Sequence, residues 1–232
     1  MKNLFYSNKI CGDYLFLENQ EQKHCINSLR NNINDHVYVT DGNGRIYYCK
    51  ITDINKKEAQ LFIKDIKSYE RSQKIHLMIA PTKNHKRIEW MIEKLVEIGV
   101  YRISFIICKN SIRKDINLPR LNKIALSAMK QTQNCYLPII DDILDFNDAF
   151  DLIETNNRYI AHLCHPIEKN IIETEKNNFN ICILIGPEGD FTLNEVNYAF
   201  KEKFKEISLG QNRLRTETAG IFASIKFTNH YE

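Results

Sequence analysis

Two short stretches near the C-terminus hold residue types from which a ligand site can be made: Gly186-Pro187-Glu188-Gly189-Asp190, and Gly210-Gln211-Asn212-Arg213-Leu214-Arg215-Thr216-Glu217. Glycine lets main-chain N–H and C=O groups come close to a ligand with no Cβ in the way. Arg213 and Arg215 carry guanidinium groups that stay charged at any physiological pH and can pair with a carbonyl oxygen or a phosphate. Glu188 and Glu217 can each accept a proton, orient an arginine or cap a helix, and the sequence does not choose among these roles. One glycine turn alone is explained by a need for φ > 0. Two in tandem, the second with a charged cluster, point to a site.

These groups need a scaffold, and the flanking residues predict one. Ile181-Cys182-Ile183-Leu184-Ile185 is an apolar run ending at a glycine, the pattern of a strand covered on both faces. Thr192 followed by Glu195 is a capping-box pattern that opens a helix. Ile207-Ser208-Leu209 reads as a short strand end, and another helix is expected from near Thr216. Both loops then leave the same sheet edge, the carboxyl ends of the strands, where open α/β sheets bind ligands. Alternating strand and helix signals from 74 to 228 predict an α/β domain with a mainly parallel sheet.

Ile185 through Gly189, with Leu209-Gly210 through Arg215-Thr216-Glu217-Thr218-Ala219, resembles the signature of the RsmE-type 16S rRNA uridine-N3 methyltransferases, a branch of the SPOUT class. The resemblance implies a C-terminal trefoil-knotted SPOUT methyltransferase domain behind a small N-terminal PUA-like β-barrel. The knot runs against the general rarity of knots. It further implies S-adenosyl-L-methionine as methyl donor, a homodimer built across the knot, and 16S rRNA of the small ribosomal subunit as partner. The donor contacts it implies are Leu163, Cys164 and His165 in one loop, Ile185, Gly186, Pro187, Glu188 and Gly189 in the next, and Ser208, Leu209, Gly210, Asn212, Leu214, Arg215, Thr216, Thr218 and Ala219 in the last. Arg215 would also stabilise negative charge developing on the uracil carbonyls. Uracil N3 sits in the pairing edge, so the target base must be unpaired or flipped out. Asp190 and Arg213 stand where many relatives carry glycine and an aliphatic residue.

Length and composition agree with such an architecture. A chain of 232 residues suits either one large α/β unit or a small domain plus a medium one, and the resemblance divides it at 1–72 and 73–232. Hydrophobic residues at 43% and charged residues at 26% are ordinary for a globular protein. No apolar run approaches the ~20 residues of a membrane span, and the first residues turn polar too soon for a secretory signal, so a cytoplasmic location is expected. Seven cysteines without a C-x-x-C pair argue against a disulfide framework or a thiolate zinc site. The net charge is only +3, so nucleic-acid binding must rest on local patches.

In chain order, Gln20 to Arg30 predicts one short helix, with His24 and Arg30 available to phosphate. His36-Val37-Tyr38-Val39-Thr40, the turn Asp41-Gly42-Asn43-Gly44, and Arg45 to Ile51 form the strongest hairpin signal in the sequence. Ala59 to Ile66 alternates as a half-buried strand does, and residues 69–73 read as a linker. Lys74 to Ile79 is an apolar strand. Lys83, Lys86 and Arg87 then form a basic cluster before a helix whose apolar face falls at 88, 91, 92, 95 and 99. Ile103 to Ile107 is the next strand, left by a second basic loop with Lys109, Arg113 and Lys114. Both clusters are expected to grip RNA phosphates. Helices are predicted over 118–133 and 146–156, and a strand from Arg158 into His162-Leu163-Cys164-His165. His162, Cys164 and His165 lack a fourth ligand at any standard spacing, so no metal is expected. Ile221 to Phe227 predicts an apolar final helix, for the core or a dimer seam. The competing readings are a ribosome-assembly protein that binds RNA through a non-catalytic knot domain, and a SPOUT methyltransferase acting on another RNA.

Overall fold

The computed structural model describes residues 3–163 and 180–228. The chain forms two compact units, one of Met1–Arg71 with Leu126–Leu137, the other of Ser72–Ala125 with Pro138–Glu232. A single boundary at 72 therefore misses one segment: Leu137 N–H donates to Gly42 O (2.8 Å), Gly44 N–H donates to Cys135 O (2.9 Å), and Lys130 pairs with Glu21.

The first unit is a six-stranded sheet in the order β1-β4-β5-β6-β3-β2. Its strands are β1 (Leu4–Tyr6), β2 (Ile10–Cys11), β3 (Tyr14–Glu18), β4 (His36–Thr40), β5 (Arg45–Ile54) and β6 (Glu58–Ser68). All its ladders are antiparallel except β1 with β4. The predicted hairpin is β4–β5, with Val37, Val39, Tyr47, Cys49 and Ile51 turned into the core and the alternate residues outward. Gln20–Arg30 is not one helix. Helix α1 (Asn19–Lys23) runs into a π-helical turn at His24–Ser28, and Arg30 sits at φ 57°. That turn drops Cys25 into the core while Leu29 and Arg30 stay exposed.

The second unit is a wholly parallel sheet in the order β10-β8-β7-β12-β11-β13, with β9 also on β8. Its strands are β7 (Lys74–Ile79), β8 (Arg102–Ile107), β9 (Ile139–Ile140), β10 (Leu144–Asp145), β11 (Arg158–Ala161), β12 (Asn180–Ile185) and β13 (Lys205–Glu206). Its helices are α2 (His85–Ile98), α3 (Leu118–Gln131), which runs on into the first unit, α4 (Leu193–Lys201) and α5 (Thr216–Thr228). Central β12 is buried from Ile181 to Ile185, as expected for a strand covered on both faces. Met78, Cys182 and Leu184 face a cluster with Phe146, Phe150, Phe191, Val196 and Phe204. On the other face Gly220 of α5 lies so close to Ile79 and Leu77 that a β-carbon there would fall 2.7 Å from Ile79 Cδ1.

Two predicted helices differ. Residues 146–156 form only a 3-10 turn at Asp148–Leu152, because Phe146 and Phe150 are both drawn into the aromatic cluster. Gly99 is no part of the apolar face of α2. It is the left-handed C-cap at φ 87°.

At the amino edge of this sheet His76 is buried, its Nε2 2.7 Å from Ser104 Oγ. Ser104 donates to Asp141 Oδ2 (2.5 Å), and Arg102 grips both oxygens of Asp141 at 2.7 and 2.9 Å. Burial, with Arg102 nearby, pushes the His76 pKa down to about 4, so this histidine is a neutral structural link.

Candidate active site

Because the strands run in parallel, the loops after β7, β8, β11, β12 and β13 all emerge at one edge. The central loop, 186–192, is held from several sides. Ala80 N–H donates to Ile185 O (3.1 Å), and Lys83 N–H donates to Glu188 Oε1 (2.9 Å). Asn110 Nδ2 donates to Gly189 O (3.1 Å) and Asp190 O (3.0 Å). Leu163 N–H donates to Asp190 Oδ2 (2.7 Å), and Arg213 Nη2 donates to Glu188 O (3.0 Å). These ties come from the loops after β7, β8, β11 and β13, so four neighbours fix the central one.

The glycines act by two different means. Gly186 and Gly189 do not have positive φ. A β-carbon on Gly186 would lie 3.0 Å from the Phe191 ring, and one on Gly189 3.0 Å from Asn110 Cβ, so close packing demands their absence. Gly210 does need the left-handed region, at φ 112°, and has nothing within 4 Å of the β-carbon position. Asp190 stands at φ 62° and its carboxylate holds Leu163, so Asp190 and Arg213 both tie loops together.

The predicted capping box forms. Thr192 Oγ1 accepts from Glu195 N–H (3.3 Å), Glu195 Oε2 accepts from Thr192 N–H (2.8 Å), and its Oε1 takes Lys109 N–H (2.7 Å). In the last loop Ile207 N–H donates to Ile160 O (2.9 Å), and Lys226 of α5 donates to Ser208 O (2.8 Å). Gly210 N–H donates to Ser208 Oγ (3.3 Å). Leu209 and Leu214 are half-buried, and Asn212 and Arg215 are exposed. Thr216 and Glu217 are buried at the first turn of α5, with Thr218 and Ala219 half-buried beside them.

Glu217 is the unusual group. Its side chain is 6% exposed, Arg87 Nε lies 3.6 Å from Oε1, and Oε2 is buried with no hydrogen-bond partner among the described residues. Glu188 Oε2 is likewise buried and unpartnered. Unsatisfied buried carboxylate oxygens are costly, and here both border the glycine loops, where a ligand's donor or an acidic N–H would satisfy them.

The structure brings Leu163, Ile185–Gly189 and Ser208–Ala219 to this one edge. Cys164 and His165 lie outside the described residues. His162 is buried, with Nε2 3.1 Å from Glu206 Oε1. Of the expected phosphate-binding residues, Lys83, Lys86, Lys109 and Lys114 are exposed around the same edge. Arg113 is committed elsewhere: its guanidinium donates to Thr82 O, Lys83 O and Asp115 and meets His85, so it braces the loop after β7. Arg87 is partly engaged by Glu217. Beside these loops a cavity of about 210 Å³ opens between the starts of α2 and α3, lined by His85, Glu89 and Arg120 among others. None of its lining residues belongs to the glycine loops, which the two buried carboxylates border. His24 and Arg30 belong to the other unit and are exposed there. Asn110 and Lys226 are not legible as site residues in the sequence, because each works through a partner distant along the chain.

Comparison with known proteins agrees with this geometry. Residues 69–227 match the RNA methyltransferase domain family, and residues 17–64 match the RNA methyltransferase PUA domain family. Ribosomal RNA small subunit methyltransferase E of Rickettsia conorii is 31% identical over 201 residues, covering 84% of this chain and 81% of that protein. The crystal structure of a probable rRNA-methyltransferase from Porphyromonas gingivalis superposes with a TM-score of 0.85 at 33% identity, covering 99% of this chain and 100% of the other. Ribosomal RNA small subunit methyltransferase E of Neisseria gonorrhoeae, solved bound to S-adenosyl methionine, superposes with a TM-score of 0.86 at 25% identity, covering 100% and 98%. With both family profiles matched in order, and relatives aligned over most of its length, the chain belongs to the RNA methyltransferase family of ribosomal RNA small subunit methyltransferase E.

Proposed function

We propose that this protein transfers a methyl group from S-adenosyl-L-methionine to N3 of a specific uridine in 16S rRNA of the small ribosomal subunit. The observation that carries the reading is the pair of tied glycine loops at the carboxyl edge of the parallel sheet, bordered by two buried carboxylate oxygens that have no hydrogen-bond partner among the described residues. Residues Leu163–His165, Ile185–Gly189 and Ser208–Ala219 are the proposed donor site. When bound, the donor supplies an electrophilic methyl on a sulfonium. In-line transfer requires fixed positions for both reactants, and the loop ties from Lys83, Asn110, Leu163 and Arg213 supply that rigidity. Exposed Arg215 faces solvent, where it can meet the uracil carbonyls as negative charge develops on them. Glu217 and Glu188 are the groups able to take the N3 proton.

The exposed lysines at 83, 86, 109 and 114 and the PUA-like first unit would grip the rRNA, with the second unit carrying the chemistry. The insertion of β12 between β7 and β11 supports a knotted crossing. A homodimer is supported by exposed apolar groups on two packed helices: Trp90 (47%) on α2, Phe222 (44%) and Ile225 (37%) on α5. No helix among the described residues is long and apolar enough to cross a membrane, and the proposed substrate places the protein in the cytoplasm.

The test is incubation with isotope-labelled S-adenosyl-L-methionine and undermethylated small subunits, followed by nucleoside analysis by mass spectrometry. Labelled 3-methyluridine is expected. Label in another nucleoside, or only with a different RNA, refutes the substrate. Absence of both label and donor binding refutes the reaction.

A further inference from the structure

We propose that the outer face of the β4–β5 hairpin is a stacking platform for an unpaired base of the RNA substrate; this rests on the reading of the chain as an RNA methyltransferase. The strand register sets four outward residues in a block, His36 opposite Lys50 and Tyr38 opposite Tyr48. The His36 and Tyr48 rings stack with centroids 5.1 Å apart and 16° between planes, and Tyr38 lies 5.2 Å from Tyr48. Cross-strand aromatic pairs stabilise sheets on their own. They do not account for what adjoins them here.

That feature is a cavity of about 240 Å³ lined by these three rings with Asn3, Phe5 and Asn31. Its apolar side is ring surface, and its polar side holds the Asn3 carboxamide, the Asn31 Oδ1 and the His36 imidazole, groups that can hydrogen-bond a base edge, while Asn31 Nδ2 is held by Cys25 O (3.0 Å). Aromatic faces beside cationic groups are how single-stranded nucleic acid is held, the rings taking bases and the cations the backbone. Lys50 stands in the block itself. Arg30 immediately precedes Asn31, and His24 packs edge-on against Phe5 at 5.6 Å. Arg30 is thus the chain neighbour of one lining residue and His24 the ring neighbour of another.

The charge distribution favours the same occupant. The first unit has 12 Lys and Arg against 9 Asp and Glu, which is the whole of the chain's +3. A register shift in the β5–β6 ladder falls between Tyr48 and Cys49, and such irregularities commonly re-aim a side chain.

The test uses full-length protein and fluorescein-labelled single-stranded oligoribonucleotides, read by anisotropy against a duplex of the same sequence and an abasic version. Tyr48 is half-buried and outward-facing, so Tyr48→Leu keeps its apolar bulk and the fold. Stacking contributes about 1–3 kcal/mol per base, so Tyr48→Leu is expected to weaken single-strand binding roughly 5- to 150-fold, and Tyr48→Phe to bind like wild type. In the transfer assay Tyr48→Leu should raise KM for the small subunit with kcat and donor affinity unchanged. Equal binding by Tyr48→Leu and wild type at matched thermal stability overturns the platform. So does equal loss in both variants, which would assign a hydroxyl contact instead, or undiminished binding of the abasic strand. A wild-type protein that binds single strands through Tyr48 but transfers no methyl group refutes the enzymatic reading and leaves the platform standing.

Discussion

Gly189→Val probes the central loop directly. A β-carbon at 189 would fall 3.0 Å from Asn110 Cβ, well inside the ~3.5–4.0 Å at which carbons attract, and the valine methyls extend the overlap. The relief available is displacement of Asn110, whose Nδ2 donates to both Gly189 O and Asp190 O. Each such bond contributes about 1 kcal/mol net. Releasing both removes roughly 2 kcal/mol of loop positioning, which is a weakening of S-adenosyl-L-methionine binding by about 30-fold or more. The residue is exposed, so the fold should survive. Calorimetric titration with the donor reads the affinity, and circular dichroism with thermal melting checks folding. Asn110→Ala removes the same two bonds without adding bulk and should reproduce most of the loss. Gly186→Ala, by contrast, drives a carbon into the buried Phe191 ring and should lower Tm as well. Unchanged donor affinity in a folded Gly189→Val protein would refute the assignment of this loop to the donor.

Two further outcomes follow from buried ionisable groups. His76, with its pKa near 4 in the fold and about 6.5 when unfolded, takes up a proton on unfolding between those values; stability is full above pH 6.5 and falls as pH drops, by roughly 2 kcal/mol at pH 5. Urea midpoints at pH 7.5 and 5 measure this, and His76→Gln should flatten the dependence; an equal slope in both proteins would assign it elsewhere. Glu217→Gln keeps the shape of a buried side chain whose Oε2 has no hydrogen-bond partner among the described residues, so it should fold normally while kcat falls about 100-fold if the carboxylate takes the N3 proton. A rise in KM for the donor with kcat unchanged would instead make Glu217 a donor-binding group.

Elements encoded by neighbours along the chain are legible in the amino-acid sequence itself. The apolar run at 181–185, the Thr192–Glu195 capping box and the 36–51 hairpin each carry their whole signal within one short local stretch, and each forms. The site's glycine loops and charged cluster are legible for the same reason. Tertiary structure decides what those groups touch. The helix expected at 146–156 shrinks to one turn because two phenylalanines belong to a shared aromatic core, and Arg113, a phosphate ligand by its neighbourhood, becomes a brace for the loop after β7. Gly189 reads as a turn glycine and is a packing glycine, because Asn110, 79 positions away, lies against it. Leu126–Leu137 joins the first unit through hydrogen bonds to Gly42 and Gly44. Periodicity, caps and turns arise from interactions within a few residues, whereas the partner of a loop amide or a buried carboxylate is selected only when distant strands pair and bring their loops to one edge.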